Sequence, residues 1–142
     1  MGVADDPVPD APISGLSHVQ FRVADLGVST RWYRAALGLV PMAEDHDLGY
    51  VALRHPGSGV VVVLTSVPGP PGGPGSTGPG SVDHLAFAVP DRDALVEWAA
   101  HLMAVGIDHA GVVLEDGRPS LQLRDPDGTA IELVTGRRPA PV

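Results

Sequence analysis

The sequence predicts an α+β chain of two β-α-β-β-β modules paired around a cavity. Three observations carry this. His18 to Asp25 reads H-V-Q-F-R-V-A-D and His84 to Asp91 reads H-L-A-F-A-V-P-D, so His, Phe, Val and Asp recur 66 residues apart (84 − 18). Between the copies, Pro68 to Ser81 holds eleven Gly or Pro among 14 residues, a composition that builds no packed element. Each copy continues with the same pattern of one helix and three further strands. A four-stranded sheet covered by one helix leaves its other face bare, and two such sheets can bury those faces against each other. The boundaries follow: a disordered lead-in over residues 1–12, a first module over 13–67, a linker over 68–81, a second module over 82–135 and a tail over 136–142.

The elements are read in order. Ser17 to Val23 alternates, with His18, Gln20 and Arg22 on one face and Val19, Phe21 and Val23 on the other. Asp25 caps a helix to about Leu37, stopped by Gly38, with Leu26, Trp32, Tyr33, Ala36 and Leu37 as its apolar stripe. Leu39 to Glu44 and Leu48 to Arg54 are strands, followed by a turn from His55 to Gly59. Val60 to Val67 lacks alternation and reads as a central strand or one buried on both faces. In the second copy, Val82 to Val89 is a strand. Asp91 caps a helix to about Val105, ended by Gly106, with Leu95, Trp98, Ala99 and Leu102 inside. Ile107 to Glu115 contains a strand, and Asp116-Gly117 is a hairpin signal. Leu121 to Val134 is a second hairpin, turned by Asp125-Pro126-Asp127-Gly128.

Composition narrows the function. The 142 residues carry a net charge of −8, against a nucleic-acid or anionic-membrane surface. There is no Cys, which excludes disulfides, iron–sulfur clusters and thiol nucleophiles. All nine basic residues are Arg, so a Schiff-base lysine is excluded. No apolar run approaches the roughly 20 residues a membrane helix needs. The first twelve residues lack the basic and apolar regions of a signal peptide, which makes cytoplasm the expected location.

The last strand holds the chemistry. Glu132 shares its face with Ala130 and Val134, while Ile131 and Leu133 point the other way. A carboxylate in an apolar strand needs a partner, because burying it alone is costly. His18 and His84, at matched repeat positions, could share a divalent metal with it or form a metal-free hydrogen-bonded network. Two imidazoles and a carboxylate suit Fe, Mn, Zn or Ni and leave open positions for a chelating substrate.

The repeat, the helix segment W-Y-R-A-A-L-G-L (Trp32 to Leu39) and D-P-D-G-T-A-I-E-L (Asp125 to Leu133) resemble the vicinal oxygen chelate superfamily. That superfamily includes glyoxalase I, extradiol dioxygenases, fosfomycin-resistance enzymes and bleomycin-resistance proteins. The resemblance spans about Ile13 to Val134. It implies metal ligands at His18, His84 and Glu132, a small oxygen-bearing substrate, and a homodimer in which modules can pair within or between chains. It carries an alternative: a drug-sequestering binder with a vestigial triad.

Departures from the subfamilies sharpen the expectation. Glyoxalase I supplies a fourth ligand from the last strand of its first module, where this chain has Val63; an aliphatic side chain neither ligates nor moves a proton. Extradiol dioxygenases carry a Tyr about ten residues before the Glu, where this chain has Gln122. Their acid–base His has two candidates here. His109, in a loop, is the catalytic candidate; His101, in the helix, reads as a surface residue. Fosfomycin-resistance enzymes bring a K⁺ loop and cationic groups that the Gly/Pro linker and the absence of Lys do not match. Gln20, Tyr50 and Gln122 are expected in the pocket. His46 and His55 read as solvated turn residues, Trp32 and Trp98 as packing, and Arg137 and Arg138 as tail charges too few for a polyanion site.

Overall fold

The structure, a computed structural model, describes residues 7, 9–69, 78–115 and 117–136. Most of the lead-in, the middle of the Gly/Pro linker, Asp116 and the tail with Arg137 and Arg138 lie outside the described residues. The order of elements is β1 (Val19–Arg22), α1 (Leu26–Leu37), β2 (Val40–Asp45), β3 (Tyr50–Arg54), β4 (Val61–Thr65), β5 (His84–Ala88), α2 (Arg92–Ala104), β6 (Val113–Glu115), β7 (Arg118–Arg124) and β8 (Ala130–Val134). They form two four-stranded sheets, ordered β1-β4-β3-β2 and β5-β8-β7-β6. In each sheet the module's first and last strands pair parallel and the other pairs are antiparallel. This is the expected β-α-β-β-β module, twice.

Local chemistry explains where the helices begin and end. Asp25 Oδ1 accepts from the Val28 N–H at 2.9 Å, and Asp91 Oδ1 accepts from the Ala94 N–H at 2.9 Å. Each cap satisfies a helix-end donor and contributes about 1 kcal/mol. Gly38 closes α1 at φ 68°, a left-handed conformation that glycine adopts without strain, and its N–H reaches Arg34 O at 3.0 Å. The β2 edge strand is protected differently: its register with β3 shifts between Pro41 and Ala43, and the irregularity discourages pairing with another strand.

Alternation decides what is buried. Phe21, Val51, Leu53, Val62 and Leu64 turn toward the helix layer, while Gln20, Tyr50, Ala52 and Val63 lie on the other face. In the second module Leu121, Leu123, Ile131 and Leu133 are buried on the helix side with Leu95 and Leu102 of α2. Buried side chains from both modules join one apolar cluster, so the chain holds a shared core. Truncating one of its leucines costs about 2–5 kcal/mol.

The sequence left open whether the bare faces meet within one chain or between chains, and in the single chain they lie open. Gln20, Arg22, His84, Ala86 and Ala88 are all exposed. The modules are joined instead through the helix layer and one turn. Tyr33 Oη, fully buried on α1, donates to Asp125 Oδ2 at 2.8 Å. Asp125 Oδ1 accepts from the N–H groups of Asp127 (2.9 Å) and Thr129 (2.8 Å). Asp127 Oδ1 in turn accepts from the Ala24 N–H at 3.1 Å, just before α1. The turn that ends the second hairpin therefore clasps the helix of the first module. Burial, and then the Asp125 carboxylate, push the Tyr33 hydroxyl far above its ordinary pKa. On α2, His101 Nε2 donates to Ala35 O at 2.7 Å. These two positions are 66 residues apart, the repeat offset, so equivalent positions of the two helices touch.

Candidate metal and substrate site

Register places the candidate ligands. Glu132 sits on β8, flanked by Ala86 of β5 on one side and Gln122 of β7 on the other. It is buried, 8% exposed, although it belongs to the open face. His84 opens β5 one diagonal step away, with its Nε2 3.7 Å from Glu132 Oε2. The other ring nitrogen, Nδ1, lies 2.7 Å from Asp83 Oδ2. A carboxylate there can accept the Nδ1 proton, which leaves Nε2, the nitrogen nearer Glu132, as the atom able to ligate a metal. That separation is too long for a hydrogen bond. It suits two ligands of one cation, since metal–ligand bonds of about 2.0–2.2 Å span about 3–4 Å between donor atoms. The donor set, imidazole nitrogen and carboxylate oxygen, fits a borderline divalent ion.

His18 immediately precedes β1 and is exposed, with Ser17 Oγ 3.0 Å from its Nδ1. The residue before each repeat histidine thus contacts that ring's Nδ1 through its side chain: a hydroxyl in the first module, a carboxylate in the second. Among the described residues, no three His, Asp or Glu side chains of one chain form a group that could hold a metal. The structure brings His84 and Glu132 together and leaves His18 on the other module's face.

Register also identifies the position that mirrors Glu132. Val63 pairs with Gln20, two residues after His18, and Glu132 pairs with Ala86, two residues after His84. Module one therefore holds an aliphatic side chain where module two holds its carboxylate.

The open face of module one forms a cavity of about 510 Å³. Gln20, Arg22, Tyr50 and Thr65 supply its polar lining, and Leu48 and Val63 belong to its apolar wall. Sequence reasoning named Gln20 and Tyr50 and put Arg22 on the correct strand face without giving it a role. Gln122 lies on the module-two face, outside this cavity. His109, in the connection between α2 and β6, is half-buried; its Nδ1 accepts from the Gly111 N–H at 2.9 Å, and it does not line the cavity. His101 is committed to the Ala35 carbonyl, and the His55 ring caps its own turn, accepting from the Ser58 N–H at 3.1 Å.

Residues 15–133 match the family model of the Glyoxalase/Bleomycin resistance protein/Dioxygenase superfamily, and the chain belongs to that superfamily. Among solved structures, a glyoxylase/bleomycin resistance protein/dioxygenase domain from Frankia sp. EAN1pec is 28% identical, with a TM-score of 0.74 over 89% of this chain and 100% of that one. A lactoylglutathione lyase from Agrobacterium tumefaciens is 20% identical, with a TM-score of 0.67 over 87% and 95%. The fosfomycin resistance protein FosX from Listeria monocytogenes, solved as a variant with Mn(II) and 1S,2S-dihydroxypropylphosphonic acid, is also 20% identical, with a TM-score of 0.67 over 89% and 95%. These last two likenesses speak for the fold. Among the described residues no helix is long and apolar enough to cross a membrane.

Proposed function

We propose that the protein is a metal-dependent enzyme acting on a small organic molecule that presents oxygen atoms to a divalent ion. The observation that carries this reading is the His84–Glu132 pair, 3.7 Å apart on an open sheet face in a chain of this superfamily. His84 and Glu132 would hold the metal with His18, and the His18 would come from a second copy of the chain, because one chain does not gather all three. The exposed faces of both modules support pairing between copies, and the Gly/Pro linker gives each module room to find its partner. When bound, the metal supplies Lewis-acid polarisation of the substrate's oxygens.

The chain's own residues set the rest. Asp83 holds the His84 ring in one tautomer and orientation. Gln122, opposite Glu132, can orient a bound oxygen but cannot move a proton. With Val63 aliphatic, no side chain at that position abstracts a proton, so the reading excludes efficient glyoxalase I chemistry. Dioxygenase and isomerase or lyase chemistry both fit.

Metal analysis and thermal unfolding test the proposal together. Metal binds the folded triad and not the unfolded chain, so a chelator lowers the melting temperature of the parent protein. His84→Ala removes that chelator-sensitive increment. A parent melting temperature indifferent to metal and chelator would leave the binder reading standing in its place.

A further inference from the structure

The face of module one opposite its helix is chemically unlike the rest of the molecule. The whole chain carries a net charge of −8. Yet among the described residues the cavity lining contains one cation, Arg22, and neither Asp nor Glu. The register explains why: Val63 occupies the position that on module two holds Glu132. Among the described residues Arg22 makes no ion pair. Gly69 lies against its guanidinium so closely that a methyl group there would collide with it. The volume, about 510 Å³, is that of a small-molecule site, which typically measures roughly 300–1,000 Å³.

We propose that this cavity binds the anionic end of a small organic anion, a carboxylate or a phosphonate, on Arg22, with Gln20 and Tyr50 beside it and Leu48, Val63 and Val67 against the apolar body. The proposal rests on and deepens the reading of the metal site: it names the charge class of the substrate whose oxygens would reach the His84–Glu132 pair of the second copy. A guanidinium presents parallel N–H donors that match two oxygens of one acidic group. In a protein this acidic, an anion is repelled from most of the surface, and a lining free of carboxylates spares it that cost at this one face. The missing carboxylate at Val63 thus becomes part of the specificity. A Glu there would stand within the same cavity and oppose the ligand.

The test uses chelator-treated full-length protein, so that no metal can bind the probes. Benzoate, phenylphosphonate and neutral benzamide are titrated and followed by NMR shifts. The parent protein is expected to bind benzoate or phenylphosphonate about tenfold more tightly than benzamide, and whichever anion is preferred identifies the acidic group. Arg22→Gln should bring the ratio near one. Gly69→Ala keeps the charge but displaces the guanidinium, so it should lower the ratio without unfolding the protein. Arg92→Gln, the same change at an exposed position on α2, should preserve it. Equal binding of benzamide, a preference that survives Arg22→Gln, a preference lost in Arg92→Gln, or no saturation by either anion would each overturn the proposal. A chelator-indifferent melting temperature would remove the metal reading and leave these outcomes untouched.

Discussion

The two modules share one topology and present opposite chemistry on their open faces. Module two offers His84 and a buried Glu132, with Asp83 behind the histidine. Module one offers Arg22, Gln20 and Tyr50 around an aliphatic Val63. Duplication supplied the same backbone frame twice, and a few side-chain identities at matched register positions divided the labour. The turns before the last strands diverge in the same way. Asp125 bonds its own turn and the other module's Tyr33. Its counterpart His55 bonds within its own turn, to Ser58. The position matching Tyr33 by the repeat offset is Ala99 (33 + 66), which has no hydroxyl to return the clasp. One turn stabilises the whole molecule, the other its own loop.

The largest expected effect separates the two faces. Glu132→Ala should weaken metal binding by about 100-fold or more, since it removes a ligand, while Val63→Ala should leave it unchanged. Isothermal titration with Mn(II) or Zn(II) reads both. Equal losses would mean that the metal does not favour module two.

The turns come next. Asp125→Ala leaves the buried Tyr33 hydroxyl without its acceptor and frees two turn amides, and should cost about 3 kcal/mol in urea unfolding. His55→Ala loses exposed bonds and should cost less than about 1 kcal/mol.

The same clasp predicts a pH dependence. Tyr33 is held neutral in the folded protein, its pKa raised above the ordinary 10.0. Its contribution to stability is fully present below pH 10.0 and declines above it, because the unfolded chain then releases a proton that the folded chain keeps. The slope from this group approaches about 1.4 kcal/mol per pH unit. Tyr33→Phe should remove that part of the alkaline slope in urea midpoints taken on both sides of pH 10.0.

The smallest effect concerns what the modules have in common. Asp25→Ala and Asp91→Ala each remove one equivalent cap and should each cost about 1 kcal/mol. A difference of several kcal/mol between them, read from thermal unfolding, would mean that one helix carries the core far more than the other.

Most of the architecture was legible in the sequence because it rests on local signals. Asp25 and Asp91 mark helix starts, Gly38 marks a stop, and the alternation around Phe21 and Ile131 assigns faces. The register of Val63 with Gln20 also follows from counting along a repeat. What could not be read locally is how the modules join. Asp125 and Asp127 read as turn residues, and nothing nearby in sequence says that Tyr33 and Ala24, about a hundred positions away, are their partners. What covers the open faces was left undecided for a related reason. Alternation shows which side chains share a face but not whether a sheet of the same chain or of a second copy covers it. Arg22 had the correct parity, and its place in a carboxylate-free cavity emerged once β1, β3 and β4 were laid side by side.

If one chain holds His84 and Glu132 while the His18 that completes the site belongs to a second copy, two defective chains should complement each other. Mixing His18→Ala with His84→Ala chains, unfolded together in urea and refolded, tests it. Each variant alone should bind metal poorly. A mixed dimer regains one intact site from the His18 of one chain and the His84 and Glu132 of the other, so tight metal binding should return to the mixture. A mixture that binds no better than its two components, or a parent protein that is monomeric by sedimentation while holding metal tightly, would contradict a site shared between two chains.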